Sequence, residues 1–253
     1  MTRLEGSTST RPTSSHDTAS SHDTAPAVAE RIDVAWLGEH LLGRWADARR
    51  HSRDLMRDDA FHRQADLSLP EQRERVFGQL GLLLDRGAVL RAFPSHLGGH
   101  DDHGGNVAAF EEIVTADPSL QIKAGVQWGL FGSAVLHLGT EYHHDTFLPG
   151  IMSLEVPGAF AMTETGHGSD VASIGTTATY DPATEEFVIS TPFRAAWKDY
   201  LGNAAVHGRA AVVFAQLFTL GVGQGCTRST CRSVTTTGSF PASAAKTTAS
   251  RAG

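Results

Sequence analysis

The sequence predicts an α+β fold, an all-α N-terminal domain followed by β structure, and three observations lead there. Apolar residues recur at helical spacing from Ala27 to about Gly139. Beyond Gly158 the period falls to two, with turn residues between alternating arms. The chain has 253 residues and 40% hydrophobic content, enough for one large core or two modest ones.

Residues 1–26 precede this pattern as a low-complexity tail rich in Ser and Thr, with a tandem copy of "SSHDTA" at Ser14–Ala19 and Ser20–Ala25. Ser, His and Asp side by side do not make a hydrolytic triad, because triad members must converge from a rigid scaffold. The expected state is disorder. The same stretch has no apolar core of the kind a secretory signal needs, so a cytoplasmic protein is the expectation.

The helical region opens with Leu37, Leu41, Trp45 and Ala48 on one face of a single helix. A second helix starts in "SLPEQRERVFGQL", where Ser68 is the N-cap, Pro70 sits in the first turn and Glu71 completes a capping box. Val76, Leu80 and Leu83 form its apolar face. A break is expected over Phe93–Gly105, then a helix from Asn106 that stops before Asp117. Asp117 and Pro118 then cap and open a core helix containing the longest apolar run, Ala124–Gly139. That run holds Gln127 and His137 and is shorter than the roughly 20 residues a membrane-spanning helix needs.

In the β region, "TTATYDPATEEFVIS" alternates through Thr177, Thr179, Phe187 and Ile189 around Asp181–Pro182, a hairpin with a connection of four to five residues. Ala210–Leu217 is an apolar run of strand length. The body therefore reads as helices first and strands second.

Composition narrows the function. A net charge of −7 with no dense Lys/Arg run argues against nucleic acid or an anionic membrane as partner. Basic residues are almost all Arg, with Lys only at 123, 198 and 246. Both cysteines, Cys226 and Cys231, fall near the end of the chain, so neither a disulfide nor a Cys-ligated metal is expected in the body. His100–His103 ("HDDH") and His143–Asp145 ("HHD") offer zinc or iron ligand types but lack the spacing of a HExxH site, so no metal is assigned. "GHGSD" carries His167 where a nucleophile elbow would need Ser.

One resemblance is more specific. "FAMTETGHGSDVASIGTTATYDPATEEFVI", followed by "KDYLGNA" and "AVVFAQL", is similar to the start of the flavin-binding middle domain of the acyl-CoA oxidase and acyl-CoA dehydrogenase superfamily. Upstream, "FPSHLGG", "KAGVQWGLFGSAVLHLGTE" and "FLPGI" resemble the N-terminal helical domain of the same family, so the match runs from about Ala27 to Gly225 in unbroken order. The resemblance implies an α-helical domain over 27–155, then the start of an incomplete β-barrel-like middle domain over 156–225, with the family's C-terminal helical bundle absent.

It also implies FAD as cofactor, a fatty acyl-CoA as substrate, and oxidation to the trans-2-enoyl-CoA. Phe160, Met162, Thr163, Gly168 and Ser169 would form one flavin wall, and Tyr200, Leu201 and Gly202 a second flavin-contacting stretch. Ser169 would face the cofactor or the acyl-CoA chain. Hydroxyls, backbone N–H groups and small residues suit a flat ring that must be approached closely. Many dehydrogenases carry Trp and Thr where this chain has Tyr200 and Gly202, and the glycine is closer to the oxidases. Glu164 resembles a catalytic base, but the family draws its base from the C-terminal helical domain, so Glu164 is read as a structural carboxylate and no catalytic residue is assigned. Intact relatives are expected to be homo-oligomers, and this chain is not expected to assemble normally. A non-enzymatic flavin- or acyl-CoA-binding module is the alternative reading.

After Gly225 the pattern changes again. Residues 226–253 are dominated by Thr, Ser, Ala and Arg and have almost no apolar periodicity, which predicts a disordered tail. Codons for this Ala-, Gly- and Arg-rich composition, shifted by a single base, back-translate to an alternating strand, an acidic turn and a Gly-rich segment. The expectation is therefore a frameshift after Gly225 and a chain inactive as it stands.

Overall fold

The computed structural model describes residues 33–225 and the backbone of residues 234–237 and 246–247. The polar segment 1–26, both cysteines and most of the tail after Gly225 lie outside the described residues.

The first of two units ends at Leu41; its described part is Asp33 and helix α1 (Val34–Leu42), whose Trp36 N–H donates to Asp33 Oδ1 at 2.9 Å. The second unit runs from Leu42. The single helix expected through Leu37 and Ala48 is interrupted: Gly43–Trp45 form a 3-10 turn before helix α2 (Ala46–Leu55). Gly43 takes φ +66°, a left-handed conformation that ends an α-helix at little cost only for glycine.

Helix α3 (Leu69–Asp85) starts as its sequence predicts. Glu71 Oε2 accepts from the Ser68 backbone N–H at 2.8 Å and from Ser68 Oγ at 2.6 Å, and Pro70 sits in the first turn. Val76, Leu80 and Leu83 are buried. Helix α4 (His103–Ile113) begins earlier than expected, because Asp102 accepts the Gly105 N–H at 2.8 Å and caps it inside the presumed break. Ser52 and Glu112 join α2 to α4: Ser52 Oγ donates to Ala109 O at 2.8 Å, and Glu112 receives Arg53 through two nitrogens at 2.8 and 3.0 Å.

Asp117 caps α5 (Pro118–Ala124), accepting the Ser119 N–H at 2.8 Å. The expected core helix does not remain α-helical. After Ala124 it becomes a π-helix over Gly125–Gly132, then returns to α6 (Ser133–Leu138). Helix α7 (Glu141–Met152) follows, capped by Thr140 with His143.

Strands β1 (Gly158–Ala161) and β4 (Ala210–Val213) pair in parallel, and β7 (Val234–Thr237) adds to β4 antiparallel, giving the order β1-β4-β7. The second sheet has the order β6-β5-β2-β3-β8, from β2 (Thr177–Asp181), β3 (Glu186–Ser190), β5 (Gln216–Thr219), β6 (Val222–Gly225) and β8 (Lys246–Thr247). The β2–β3 hairpin forms where it was expected, with Asp181 opposite Glu186 across a four-residue connection. The apolar run Ala210–Leu217, expected as one strand, divides at Phe214–Ala215 and serves both sheets, β4 beside β1 and β5 beside β2. Neither sheet closes into a barrel among the described residues. Strands β7 and β8 fall in the segment expected to be disordered throughout. There a Thr-rich stretch of high β propensity meets the open edge of β4, whose backbone groups need partners.

Helices and strands share one core. Leu80, Leu83, Ile113, Leu120, Phe131, Leu148 and Ile151 belong to the same buried cluster as Ala210, Val212 and Phe214 of the β region. The division expected near residue 155 thus separates helices from strands without separating two hydrophobic interiors.

Candidate functional site

Strand β1 delivers the chain into the stretch "MTETGHGS". Glu164 and His167 close a tight turn, with Glu164 N–H to His167 O at 3.0 Å and His167 N–H to Glu164 O at 3.1 Å. On its other side the same strand runs antiparallel to residues 195–199: Thr165 N–H donates to Trp197 O at 2.9 Å, and Asp199 N–H to Thr163 O at 3.2 Å. Thr163 therefore lies between Gly168, its opposite across the turn, and Asp199, which leads directly into Tyr200. The two stretches that the sequence singles out, Phe160–Ser169 and Tyr200–Gly202, are brought together with Thr163 at their centre.

The side chains divide between surfaces. Phe160 and Met162 are partly buried against the helical core, the Phe160 ring 4.9 Å from that of Phe214. Leu201 packs on the opposite face of β1–β4, against Ala159, Ala161, Ala211 and Val213, as the alternation of a strand requires. Gly168 and Ser169 are exposed. Tyr200 is 84% exposed and takes φ +58°, a costly conformation for an aromatic residue.

The three glycines differ. A Cβ on Gly166 would lie 2.8 Å from Ala195 Cβ, and one on Gly202 would lie 2.7 Å from Val126 Cγ2, so both are required by internal packing. A Cβ on Gly168 would meet nothing within 4 Å. Gly168 alone opens onto space that a ligand can take, so the glycine signal in the sequence is mostly a folding signal. The open surface around Thr163, Gly168, Ser169 and Tyr200 is compatible with a flat cofactor laid against it.

Glu164 is 2% exposed and fully engaged. Its Oε2 accepts the Gly175 N–H at 2.7 Å, and its Oε1 accepts the Thr176 N–H at 2.9 Å, the Thr176 hydroxyl, and Lys198 Nζ at 3.0 Å. Burial alone would raise its pKa, but the hydrogen bonds from Thr176, Gly175 and Lys198 together outweigh it and hold the carboxyl below the usual value. Lys198 is lowered too, for the opposite reason: desolvation of its ammonium exceeds the stabilisation from Glu164. The carboxylate is held in its ionised form by its donors. A buried carboxylate held by four donors, from Gly175, Thr176 twice and Lys198, is poorly placed to move a proton, and its geometry is that of a structural residue.

Lys198 also donates to Met162 O at 2.9 Å, so one side chain fixes both the strand and the turn of the candidate wall. Sequence reasoning did not single it out. The available signal was rarity, since a chain this rich in Arg keeps only three lysines, and a compact ammonium suits a narrow buried position.

Residues of both histidine clusters make local hydrogen bonds. His143 Nδ1 accepts the Thr140 N–H at 3.2 Å, and His144 Nε2 lies 2.8 Å from Leu136 O. Asp101 and Asp102 accept the backbone N–H groups of Ser95 and Gly105. Among the described residues, no group of three or more His, Cys, Asp or Glu side chains is arranged to hold a metal ion, and no helix is long and apolar enough to cross a membrane.

Comparison with known proteins gives this geometry its context. Residues 47–155 match the family model described as acyl-CoA dehydrogenase, N-terminal domain. Acyl-coenzyme A oxidase 2, peroxisomal, of Arabidopsis thaliana is 44% identical over 165 residues, 63% of this chain and 23% of that protein. Peroxisomal acyl-coenzyme A oxidase 3 of Homo sapiens is 46% identical over 101 residues, 40% of this chain and 14% of that protein. The crystal structure of acyl-CoA oxidase 3 from Yarrowia lipolytica superposes with a TM-score of 0.62 at 28% identity, covering 75% of this chain and 26% of that one. The chain thus spans about a quarter or less of the length of these relatives. Helices leading into open sheets, the order of motifs and these matches agree: the chain belongs to the acyl-CoA oxidase and acyl-CoA dehydrogenase superfamily.

Proposed function

We propose that the patch centred on Thr163 is one wall of a flavin site, and that the chain represents the acyl-entry helices and first flavin wall of an acyl-CoA-oxidising flavoprotein. The observation that carries this reading is the placement of Thr163 between Gly168 and Asp199–Tyr200, with Tyr200 exposed on a strained backbone. Strain of that kind persists where surrounding structure enforces it, and it concentrates at ligand sites.

FAD, when bound, supplies the acceptor for the hydride leaving the acyl Cβ as a trans-2-enoyl-CoA forms. The residues of this chain hold and orient. Thr163 offers a hydroxyl at the middle of the wall, Gly168 permits close approach, and Ser169 stands at the exposed rim toward a fatty acyl-CoA. Phe160 and Met162 contribute through the strand, since their side chains are engaged in the core. Leu201 and Gly202 set the second stretch. Glu164 does not serve as base, so α-proton removal falls to a group outside the described residues, and the chain by itself is inactive.

The test is to purify the 253-residue chain with FAD, then assay it with fatty acyl-CoA and either oxygen or an artificial electron acceptor. Flavin retained through gel filtration without turnover is the expected result. Failure to retain flavin overturns the wall, and robust turnover overturns the inactivity. Acyl-CoA binding without flavin would favour the non-enzymatic alternative. Gel filtration also tests whether the chain assembles, as its intact relatives are expected to do.

The loss of apolar periodicity after Gly225 further supports a frameshift there. The nucleotide sequence downstream decides it, because a shifted open frame must continue the family pattern. The cytoplasmic placement stands against the word "peroxisomal" in the names of the two relatives. Fractionation of cells expressing the tagged chain separates these compartments.

A further inference from the structure

The π-helical stretch Gly125–Gly132 lies against the second stretch of the candidate wall. In a helix closed by i→i+5 bonds the turn is wider than the 3.6 residues of an α-helix, so side chains four apart stay nearly in line. Gln127 and Phe131 are buried in this way, as are Trp128 and Gly132. A fully buried glutamine inside the longest apolar run is a second departure from the ordinary, and it is fully used. Gln127 Nε2 donates to Ile151 O and Val156 O, both at 3.1 Å, while its Oε1 accepts the Gly158 N–H at 2.9 Å and Asn203 Nδ2 at 3.5 Å. Asn203 Nδ2 donates in addition to Gly158 O at 2.9 Å. One amide therefore joins the end of α7, the first residue of β1 and the residue after Gly202.

Its neighbour Val126 occupies the place where Gly202 would carry a Cβ, 2.7 Å from Cγ2. Gly202 has no left-handed backbone to explain it, whereas Tyr200 and Asn203 on either side do, at φ +58° and +65°. Two strained residues flanking a contact need an outside hold to persist.

We propose that Val126 and Gln127, presented by the π segment, are positioning residues that set Tyr200–Asn203 against β1 and so fix the second half of the flavin wall. The proposal rests on the flavin-wall reading. Val126 is a knob in the hollow of Gly202, and Gln127 is the lock that joins Asn203 to Gly158.

The test uses the full chain with Gly202→Ala, Val126→Ala, the double variant, and Gln127→Leu. Amide hydrogen exchange is followed over Asp199–Asn203 and Gly158–Ala161, with α3 as internal reference, alongside FAD affinity and the absorption spectrum of bound flavin. Gly202→Ala should speed exchange over Asp199–Asn203 and weaken FAD binding, each by about tenfold, while α3 is unchanged. The double variant should recover both to near wild type, because the smaller knob readmits the Cβ. Gln127→Leu should speed exchange at Gly158 and Asn203, weaken FAD similarly and shift the flavin spectrum, without rescue by Val126→Ala. Unchanged exchange in Gly202→Ala, no recovery in the double variant, or wild-type FAD affinity and spectrum in Gln127→Leu overturns the proposal. Variants that show this exchange pattern, together with a wild-type chain that binds no FAD, overturn the flavin reading and with it any positioning role, leaving a lock that serves folding alone.

Discussion

Lys198 reaches Glu164 across an antiparallel bridge, Nζ to Oε1 at 3.0 Å, with the carboxylate wholly buried and the ammonium nearly so. Removing one partner of a buried pair leaves the other charge uncompensated. Lys198→Met should therefore destabilise the chain by about 3–5 kcal/mol in urea unfolding. A loss near zero would show that the pair is more hydrated than its geometry indicates.

Acid should weaken the fold through the same carboxylate and one other. Glu164 is held below the ordinary value of 4.5 as described. Glu112 is lowered chiefly by its hydrogen bond from Arg53, against burial and with help from Arg49. A carboxyl with a lowered folded pKa contributes stability that is complete above the unfolded value, about 4.5, and is lost as pH falls through the folded value. The urea midpoint should hold steady from pH 7 to about 5 and then fall, with a shallower fall in Glu112→Gln. A midpoint flat to pH 3 would contradict this.

Gly168 and Gly158 make a matched contrast. A Cβ on Gly158 would enter the Phe131 ring, so Gly158→Ala should cost about 1–3 kcal/mol or more through overpacking. A Cβ on Gly168 meets open space and needs no left-handed backbone, so Gly168→Ala should stay within about 0.5 kcal/mol of wild type. If Gly168 serves a ligand, its alanine variant loses FAD affinity at unchanged melting temperature. Equal FAD affinity would remove Gly168 from the wall.

The start of α3 offers a simpler check. Ser68→Ala removes the hydroxyl half of a capping pair with Glu71 and should cost about 1 kcal/mol, read as a shift in urea midpoint. Glu71 is held below the usual carboxylate range by its hydrogen bonds from the Ser68 side chain and backbone, against a smaller effect of burial, and the variant should bring it back toward the ordinary value.

What was legible in the sequence was local. The Ser68 box, the Asp117 cap and the β2–β3 hairpin each depend on residues a few positions apart, and each formed where its sequence placed it. The interruption at Gly43 was visible only as a glycine within a periodic run. The π segment escaped, because apolar periodicity does not distinguish i→i+4 from i→i+5 bonding when both bury the same residues. The division of Ala210–Leu217 between two sheets depends on distant partners, β1 for one half and β2 for the other, which no local pattern reports. Within the candidate wall, sequence marked Thr163 and Gly168 but gave the same weight to Gly202, whose partner Val126 lies far along the chain. Gln127 was visible as a polar residue in an apolar run, and only its four contacts explain it.

The bonds from Gly175 and Thr176 to Glu164 close the chain between them into a ring whose two ends cannot drift apart. A rim shaped before its guest arrives has little searching left to do. Flavin uptake would then be one bimolecular encounter, its observed rate rising in proportion to flavin concentration, with no slower phase in which the loop orders around the ring.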